Sequence, residues 1–438
     1  MKYHFIGIKG SGMSALASIM HDLGNKVQGS DKTYHLFAQD ALEERNITML
    51  PFDADNIKED MIVVIGNAFR DDHPEVIKAK ELGVKTYRYF ELLGDLTKKH
   101  DTIAVCGCHG KTTTTSLLSH IFNNIIGCNY LIGDGTGYAK EGNQYFMVEA
   151  CEYKRHFLYY YPKYTIMTNI DLDHIDYYKD IEEMKKAYTE FGNQTTELII
   201  ACGDDKHIRS LELETPIIYY GFNDNNDVIA KNIELNKEGS TFDVYYKNEF
   251  LGHFHLPLYG KHMILNTLSV ITMAHIVKLD LNKVKDLIKT FKGAKRRFKE
   301  KIIDDIVTID DYAHHPTEIK VTIEAARQKY PDKELVAIYL PNTYSRVKEL
   351  HQDMANSLNM ADKAYVMDIR CDREKPEEWP GVSSNLIINL LNNGEKVGFD
   401  TIDKLLRHKN SVLLFMSCTE IYHLQEKYEE LLQKKEGS

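Results

Sequence analysis

No apolar run in this 438-residue chain approaches the ~20 residues a membrane-spanning helix requires. No C-x-x-C pair occurs either. The seven cysteines (Cys106, Cys108, Cys128, Cys151, Cys202, Cys371 and Cys418) are odd in number and scattered, which argues against a disulfide framework and a zinc ribbon. Reduced thiols in a cytoplasmic protein are the expectation. Positive charge is not in excess: the formal net charge is −11, which argues against nucleic-acid binding through phosphate contacts. The first residues, MKYHFIGIKG, read as a strand at once, with no room for a secretory signal. What is there is ordinary for a globular protein, 43% hydrophobic and 27% charged. The length asks for roughly two to four domains.

The stretch Thr102 to Leu118, TIAVCGCHGKTTTTSLL, organises the rest. Thr102 to Cys106 is β-branched, apolar and uncharged, as a buried strand is. Gly107 to Thr112 is a Gly-punctuated turn, and Thr112 to Phe122 reads as a helix. Strand, Gly-rich loop and Lys-Thr at a helix start make a phosphate cradle, because loop N–H groups and a helix N-terminus favour anions. Lys111 can reach outer phosphates and Thr112 can hold Mg²⁺. Val105 stands where the longer nucleotide-loop pattern has its first Gly, so the match is to a shorter form, Gly-x-x-Gly-Lys-Thr.

Upstream, Tyr3 to Ile8 reads as a strand, Gly7 to Gly12 as a Gly loop and Met13 to Leu23 as a helix ended by Gly24. Lys26 to Gly29 is a second strand closing at Ser30-Asp31. This βαβ start offers a Gly loop for a diphosphate and an acid for a ribose hydroxyl, at a spacing other than the dinucleotide one. A nicotinamide site and a plain tight turn both stay open on pattern alone. Asn67 follows a further strand, Ile62 to Ile65.

Downstream, the strand Tyr145 to Val148 delivers Glu149, placed to hold Mg²⁺ beside the phosphate loop. Tyr164 to Ile170 leads to Asp173 and His174, which can complete the same site or be a capping Asp and a surface His. Asp227 to Leu256 alternates as a small antiparallel excursion. His262 and Asn266 share a helix face. Arg296 and Arg297, in GAKRRF, can meet phosphate on domain closure or stand solvated. Asp310 to Glu318, DDYAHHPTE, gathers Asp311, His314 and His315 at a strand end before a Pro-led helix. Arg346, expected at a strand end, is a candidate carboxylate or phosphate clamp.

These words resemble the Mur ligases, the ATP-dependent amide-forming enzymes of peptidoglycan precursor synthesis, over almost the whole chain. The run GIKGSGMSALA followed by GSD resembles the UDP-binding start of that family. GCHGKTTTT resembles its ATP loop, EACEYKRHF and TNIDLDH its metal-binding segments, GKHMILN its adenine motif, and DDYAHHP its C-terminal motif. The wording is that of the branch adding L-alanine to UDP-N-acetylmuramate. The resemblance implies an α/β, three-domain fold: a Rossmann-like UDP-sugar domain at 1–98, a central P-loop ATPase domain at 99–293 and a Rossmann-like C-terminal domain at 294–438.

It also implies two Mg²⁺ sites with Thr112, Glu149 and His174 as ligands. ATP falls to Gly107, His109, Gly110, Lys111, Thr112, Thr113, Asn266, Arg297 and Asp311. UDP-sugar falls to Gly10, Ser11, Gly12, Met13, Ser14, Ser30, Asp31 and Asn67. Lys111, His174, Arg346, His314 and His315 would carry catalysis. The implied partners are ATP, UDP-N-acetylmuramate and L-alanine, with a monomer or homodimer expected. Three stretches depart from the family wording: Asn342 stands for a His, Ser417 to Glu420 replaces a Gly-rich turn, and Asp368 to Pro380 is unlike. A member joining another amino acid or peptide, or a non-catalytic nucleotide-binding regulator, therefore stays open.

Overall fold

The computed structural model describes residues 1–371 and 374–436; Asp372 and Arg373, inside the unusual stretch Asp368 to Pro380, lie outside the described residues. Among the described residues the strands form three sheets flanked by helices, an α/β architecture throughout.

The first sheet is parallel, in the order Thr48–Leu50, Lys26–Ser30, Lys2–Ile6, Met61–Ile65, Thr86–Arg88. Lys2–Ile6 and Met61–Ile65 carry its buried apolar residues, Phe5, Ile6, Val63 and Val64 among them, as a sheet covered on both faces demands. Strand order reverses at Lys2–Ile6, and the helix Ser11–Asp22 follows there, which is where open α/β sheets hold ligands.

The second sheet has ten strands. At its centre Asp101–Cys106 lies parallel between Tyr164–Met167 and Tyr145–Glu149. The phosphate loop, Glu149 and the Thr168 to His174 segment therefore emerge from the same ends of three adjacent strands. The antiparallel excursion is present as Val228–Asn236, Gly239–Tyr246 and Glu249–Leu256. On the opposite edge, the hairpin Cys128–Leu131 with Gly137–Tyr138 lies against the helix Ser11–Asp22. A Cβ on Gly137 would stand 2.1 Å from the Ala15 carbonyl oxygen, so only glycine permits this approach.

The third sheet runs Lys299–Ile303, Ile306–Asp311, Ser411–Met416, Glu334–Tyr339, Lys363–Val366, Gly394–Lys396. Its first strand is antiparallel and was not expected, because KEKII is a mostly exposed, charged edge without an apolar face. One correction concerns Arg346. It does not end a strand but sits in the first turn of the helix Tyr344–Leu358, where the Thr343 side chain accepts the Arg346 N–H at 3.3 Å.

One apolar cluster, with Leu16, Leu92, Val105 and Phe157, runs through the first two sheets and their helices. The third sheet keeps separate clusters on its two faces. Hydrogen bonds such as Gly260 N–H to Gln328 Oε1 (2.8 Å) join it to the second unit. The first two units are thus welded by burial, while polar contacts, which exchange readily with water, hold the third.

Candidate active site

Gly107 and Gly110 take φ of 133° and 83°, conformations that side chains other than glycine's resist. A Cβ would meet Thr168 Oγ1 at 2.0 Å on Gly107 and Asn266 Oδ1 at 2.7 Å on Gly110. The helix Lys111–Ile125 then begins with no capping side chain and no acid in its first turn, so its N–H groups stay available to an anion. The loop is clipped to the neighbouring strand end. His109 N–H donates to Asn169 Oδ1 (2.9 Å), while Asn169 Nδ2 and Thr168 Oγ1 donate to the His109 carbonyl (2.9 and 2.8 Å). Asn169 therefore shapes the loop backbone.

Lys111 Nζ donates to the Gly107 and Cys108 carbonyls and to Glu152 Oε2 at 3.0 Å. Glu152 is fully buried. Burial opposes both charges, but their attraction prevails: the Lys111 ammonium is raised and the Glu152 carboxyl lowered from their ordinary values. Sequence reasoning gave Glu152 no role. Its signal was a second carboxylate three residues past Glu149.

Thr112 Oγ1 donates to Glu149 Oε1 (3.1 Å), and Gly133 N–H to Glu149 Oε2 (2.8 Å). Burial pushes the Glu149 carboxyl up despite Lys111 nearby. A half-buried carboxylate beside a hydroxyl is a hard-oxygen set that fits Mg²⁺. His174 is placed differently, with its Nε2 3.3 Å from Glu152 Oε1. Cys151, Glu152 and His174 offer ligand atoms within 4.8 Å of one another.

The third unit reaches this centre through several side chains. His315 caps the helix Pro316–Lys329, accepting the Thr317 N–H at 3.3 Å, with Pro316 at the first helical position as expected. Its ring lies 4.7 Å from that of His109. Thr317 Oγ1 donates to Asp171 Oδ2 (2.8 Å), which also faces His109 Nε2 (3.3 Å). Glu318 gathers His109 Nδ1 (3.6 Å), Arg297 Nη1 (3.4 Å) and His314 Nδ1 (3.0 Å). Arg346 Nη2 pairs with Asp173 Oδ1 (2.8 Å), and its Nη1 donates to Asn342 Oδ1 (2.7 Å).

Burial lowers His109, but bonds to Asp171 and Glu318 outweigh it and push the imidazole up to about 9. Burial and the His109 charge push His315 down to about 4. Asp311 accepts the Phe298 and Ala313 N–H groups (both 2.8 Å) and the Thr322 hydroxyl (3.2 Å), which ties the Arg297 linker to the third sheet.

A cavity of about 520 Å³ opens between the second and third units, lined by Thr113, His262, Met263, Phe291, Arg297 and Asp311 among others. Burial and Arg297 push His262 down to about 4, so it is neutral near pH 7. Asn266 is not on this wall; it lies under Gly110.

In the first unit Gly10 and Ser11 are exposed at the helix start, with Gly12 half-buried. The other expected residues have internal partners. Asp31 accepts the Lys9 and Lys32 N–H groups (both 2.7 Å), Ser30 bonds to Glu75, Ser14 donates to the Ala38 carbonyl (2.6 Å), and Met13 is buried. Asp31 thus holds the loop through the Lys9 N–H, while Ser14 and Ser30 tie the helix to Ala38 and the strand end to Glu75. Asn67 faces His156 across the cleft at 3.4 Å.

Three family models match the chain: Mur ligase family, catalytic domain, over residues 2–101; Mur ligase middle domain over 105–274; and Mur ligase, glutamate ligase domain, over 296–415. Among solved structures, UDP-N-acetylmuramate-alanine ligase MurC from Thermotoga maritima superposes with a TM-score of 0.81 at 25% identity, covering 99% of this chain and 100% of that one. A murein peptide ligase from Psychrobacter arcticus gives 0.73 at 22%, covering 99% and 98%. The MurF ligase of Thermotoga maritima in complex with ADP gives 0.67 at 16%, covering 88% and 97%. The last two likenesses establish the fold.

Proposed function

Since the chain belongs to the Mur ligase family of ATP-dependent carbon–nitrogen ligases, we propose that it joins L-alanine to the lactyl carboxylate of UDP-N-acetylmuramate. The observation that carries this reading is the Arg346–Asp173 pair, which draws a guanidinium of the third unit to within a residue of His174, at the strand ends that bear the phosphate loop. A carboxylate-binding group and a phosphate-binding loop in one cleft suit the coupling of an amino acid to a phosphorylated acid. The unit boundaries are placed at 98/99 and 293/294.

In this reading ATP phosphorylates the lactyl carboxylate, and the alanine amine attacks the resulting acyl phosphate with loss of phosphate. Lys111, anchored by Glu152, and the N–H groups of the loop bear the charge of the transferring phosphoryl group. Thr112 and Glu149 hold Mg²⁺, with His174 for a second ion; the metal supplies charge neutralisation on the phosphates. The adenosine part takes the 520 Å³ cavity beside His262 and Arg297. The UDP-sugar takes Gly10 to Gly12 and Asn67. Arg346 turns from Asp173 to the alanine carboxylate. His314 and His315 stand nearest the attacking amine, and His315 is neutral near pH 7. The polar seam lets the third unit open for substrate and close to exclude water from the acyl phosphate.

The test is phosphate release from ATP with UDP-N-acetylmuramate and each standard amino acid in turn, with products weighed by mass spectrometry. Alanine giving the fastest release, with a product one alanyl residue heavier, supports the proposal. A second reading, a member adding another amino acid or a peptide, draws on Asn342, whose side chain engages Arg346 directly. Preference for a different acceptor would favour it. ATP binding without turnover on any acceptor would point to a regulator.

A further inference from the structure

We propose that Cys151, Glu152 and His174 form a binding site for a thiophilic divalent cation of the zinc or cobalt class. Three observations meet here. The thiol, carboxylate and imidazole come from two strand-end segments, yet their ligand atoms lie within 4.8 Å of one another. Tetrahedral metal–ligand bonds of roughly 2.0–2.3 Å close such a triangle with small side-chain rotations. Among the described residues Cys151 is the exposed cysteine, while Cys106, Cys108, Cys128 and Cys202 are buried. A cation therefore reaches this sulfur from solvent. The other two ligands are held in place: Glu152 is fully buried and bonded to Lys111, and the His174 ring packs against Tyr153 at a centroid distance of 4.7 Å.

The donor set decides which metal. Mg²⁺ takes hard oxygen ligands, so the Thr112–Glu149 pair suits it and a thiolate does not. Sulfur, nitrogen and oxygen together suit Zn²⁺ or Co²⁺, with a fourth position open to water. On binding, the Cys151 thiol and the His174 imidazolium each give a proton to solvent, and the thiolate and the neutral imidazole donate to the metal, with no change of oxidation state. The site shares His174 with the magnesium reading and takes Glu152, the anchor of Lys111. Occupancy therefore competes with turnover. The consequence for activity rests on the proposed ligase function; the binding does not.

The experiment uses the reduced full-length chain without substrates, titrated with Co²⁺ and then Cd²⁺. The expected result is one equivalent bound with a thiolate-to-metal charge-transfer band, lost in Cys151→Ser and in His174→Ala. In a second arm, Zn²⁺ inhibits Mg²⁺–ATP-dependent phosphate release by the wild type. Relative to its own rate without Zn²⁺, Cys151→Ser needs at least ten-fold more Zn²⁺ for half-inhibition. Absence of the charge-transfer band, or a band of unchanged strength in Cys151→Ser, overturns the site. Should the chain release no phosphate with any acceptor, the first arm still decides the metal site and the ligase reading fails alone.

Discussion

His109 lets the link between the phosphate loop and the third unit be weighed by pH. Its imidazole sits at about 9 in the folded chain, held there against burial by Asp171 and Glu318. An unfolded histidine titrates near 6.5. Between those values the folded chain binds one more proton than the unfolded, so stability falls as pH rises. The contribution is complete below about 6.5 and lost as pH passes 9. Each pH unit between the two values is worth ~1.4 kcal/mol, so the whole effect is about 3 kcal/mol.

Denaturant unfolding of the wild type and His109→Gln at pH 6.5, 7.5, 8.5 and 9.5 measures it. His174, pushed up to about 10 by bonds to Cys151 and Glu152 that outweigh burial, adds a slope of the same sign to both proteins. The difference between the two curves isolates His109, and it should shrink by ~1.4 kcal/mol per pH unit at steepest. Glu318→Gln removes the partner contributed by the third unit and should flatten the wild-type curve part-way. Parallel curves for wild type and His109→Gln from pH 6.5 to 9.5 would refute the assignment.

Lys111→Ala should abolish ATP-dependent phosphate release, and stranding buried Glu152 should cost ~3–5 kcal/mol in denaturation; adding Glu152→Gln should recover most of the stability and none of the turnover, and near-normal release by the single variant would sink the phosphate-loop role. Gly110→Ala drives a methyl group against Asn266 at a positive φ, so its KM for ATP should rise at least ten-fold, checked by initial rates against a circular-dichroism control for folding. Arg346→Ala should raise the KM for the amino acid far more than that for ATP, and equal effects on both would assign Arg346 to closure alone.

The parts of the site that were legible in the sequence are those whose chemistry is local. Gly107 to Thr112 follows one strand, Glu149 ends another, and His174 follows a third, so each could be read within a window of a few residues. Parallel pairing then set them side by side. What stayed hidden acts across long separations. Glu152 matters because Lys111, 41 residues earlier, points at it. Glu318 matters because the third unit folds back onto His109. Neither partner is written in the local pattern. Asp31 and Ser30 carry a local role that spacing did not show: besides suiting a ribose by type, Asp31 accepts the Lys9 N–H and Ser30 bonds to Glu75. The strand Lys299–Ile303 was unread because a charged edge strand carries no apolar alternation to detect.

On the proposed ligase reading, the chemistry of the loop Ser417 to Glu420 would bear on which amino acid enters. A Gly-rich turn here would leave the backbone bare. In this chain hydrogen bonds hold a side-chain-bearing turn instead: Arg296 Nη2 donates to the Ser417 and Thr419 carbonyls (3.1 and 2.9 Å), and Ser417 Oγ donates to the Leu340 carbonyl (2.9 Å). Cys418, between them, is half-buried. Loss of hydration pushes its thiol up to about 11, although Arg346 opposes the shift. The Arg346 charge is felt at this thiol, and the Cys418 side chain fills space a glycine would leave empty. A narrower site favours a small side chain. Cys418→Gly should widen acceptance, raising kcat/KM about four-fold for 2-aminobutyrate and about fifteen-fold for norvaline, one and two methylenes longer than alanine, since each buried methylene is worth ~0.8 kcal/mol. Rates for the wild type and Cys418→Gly on alanine, 2-aminobutyrate and norvaline decide it. An unchanged ranking would show that the loop does not line the amino-acid site, and would return the specificity question to Asn342.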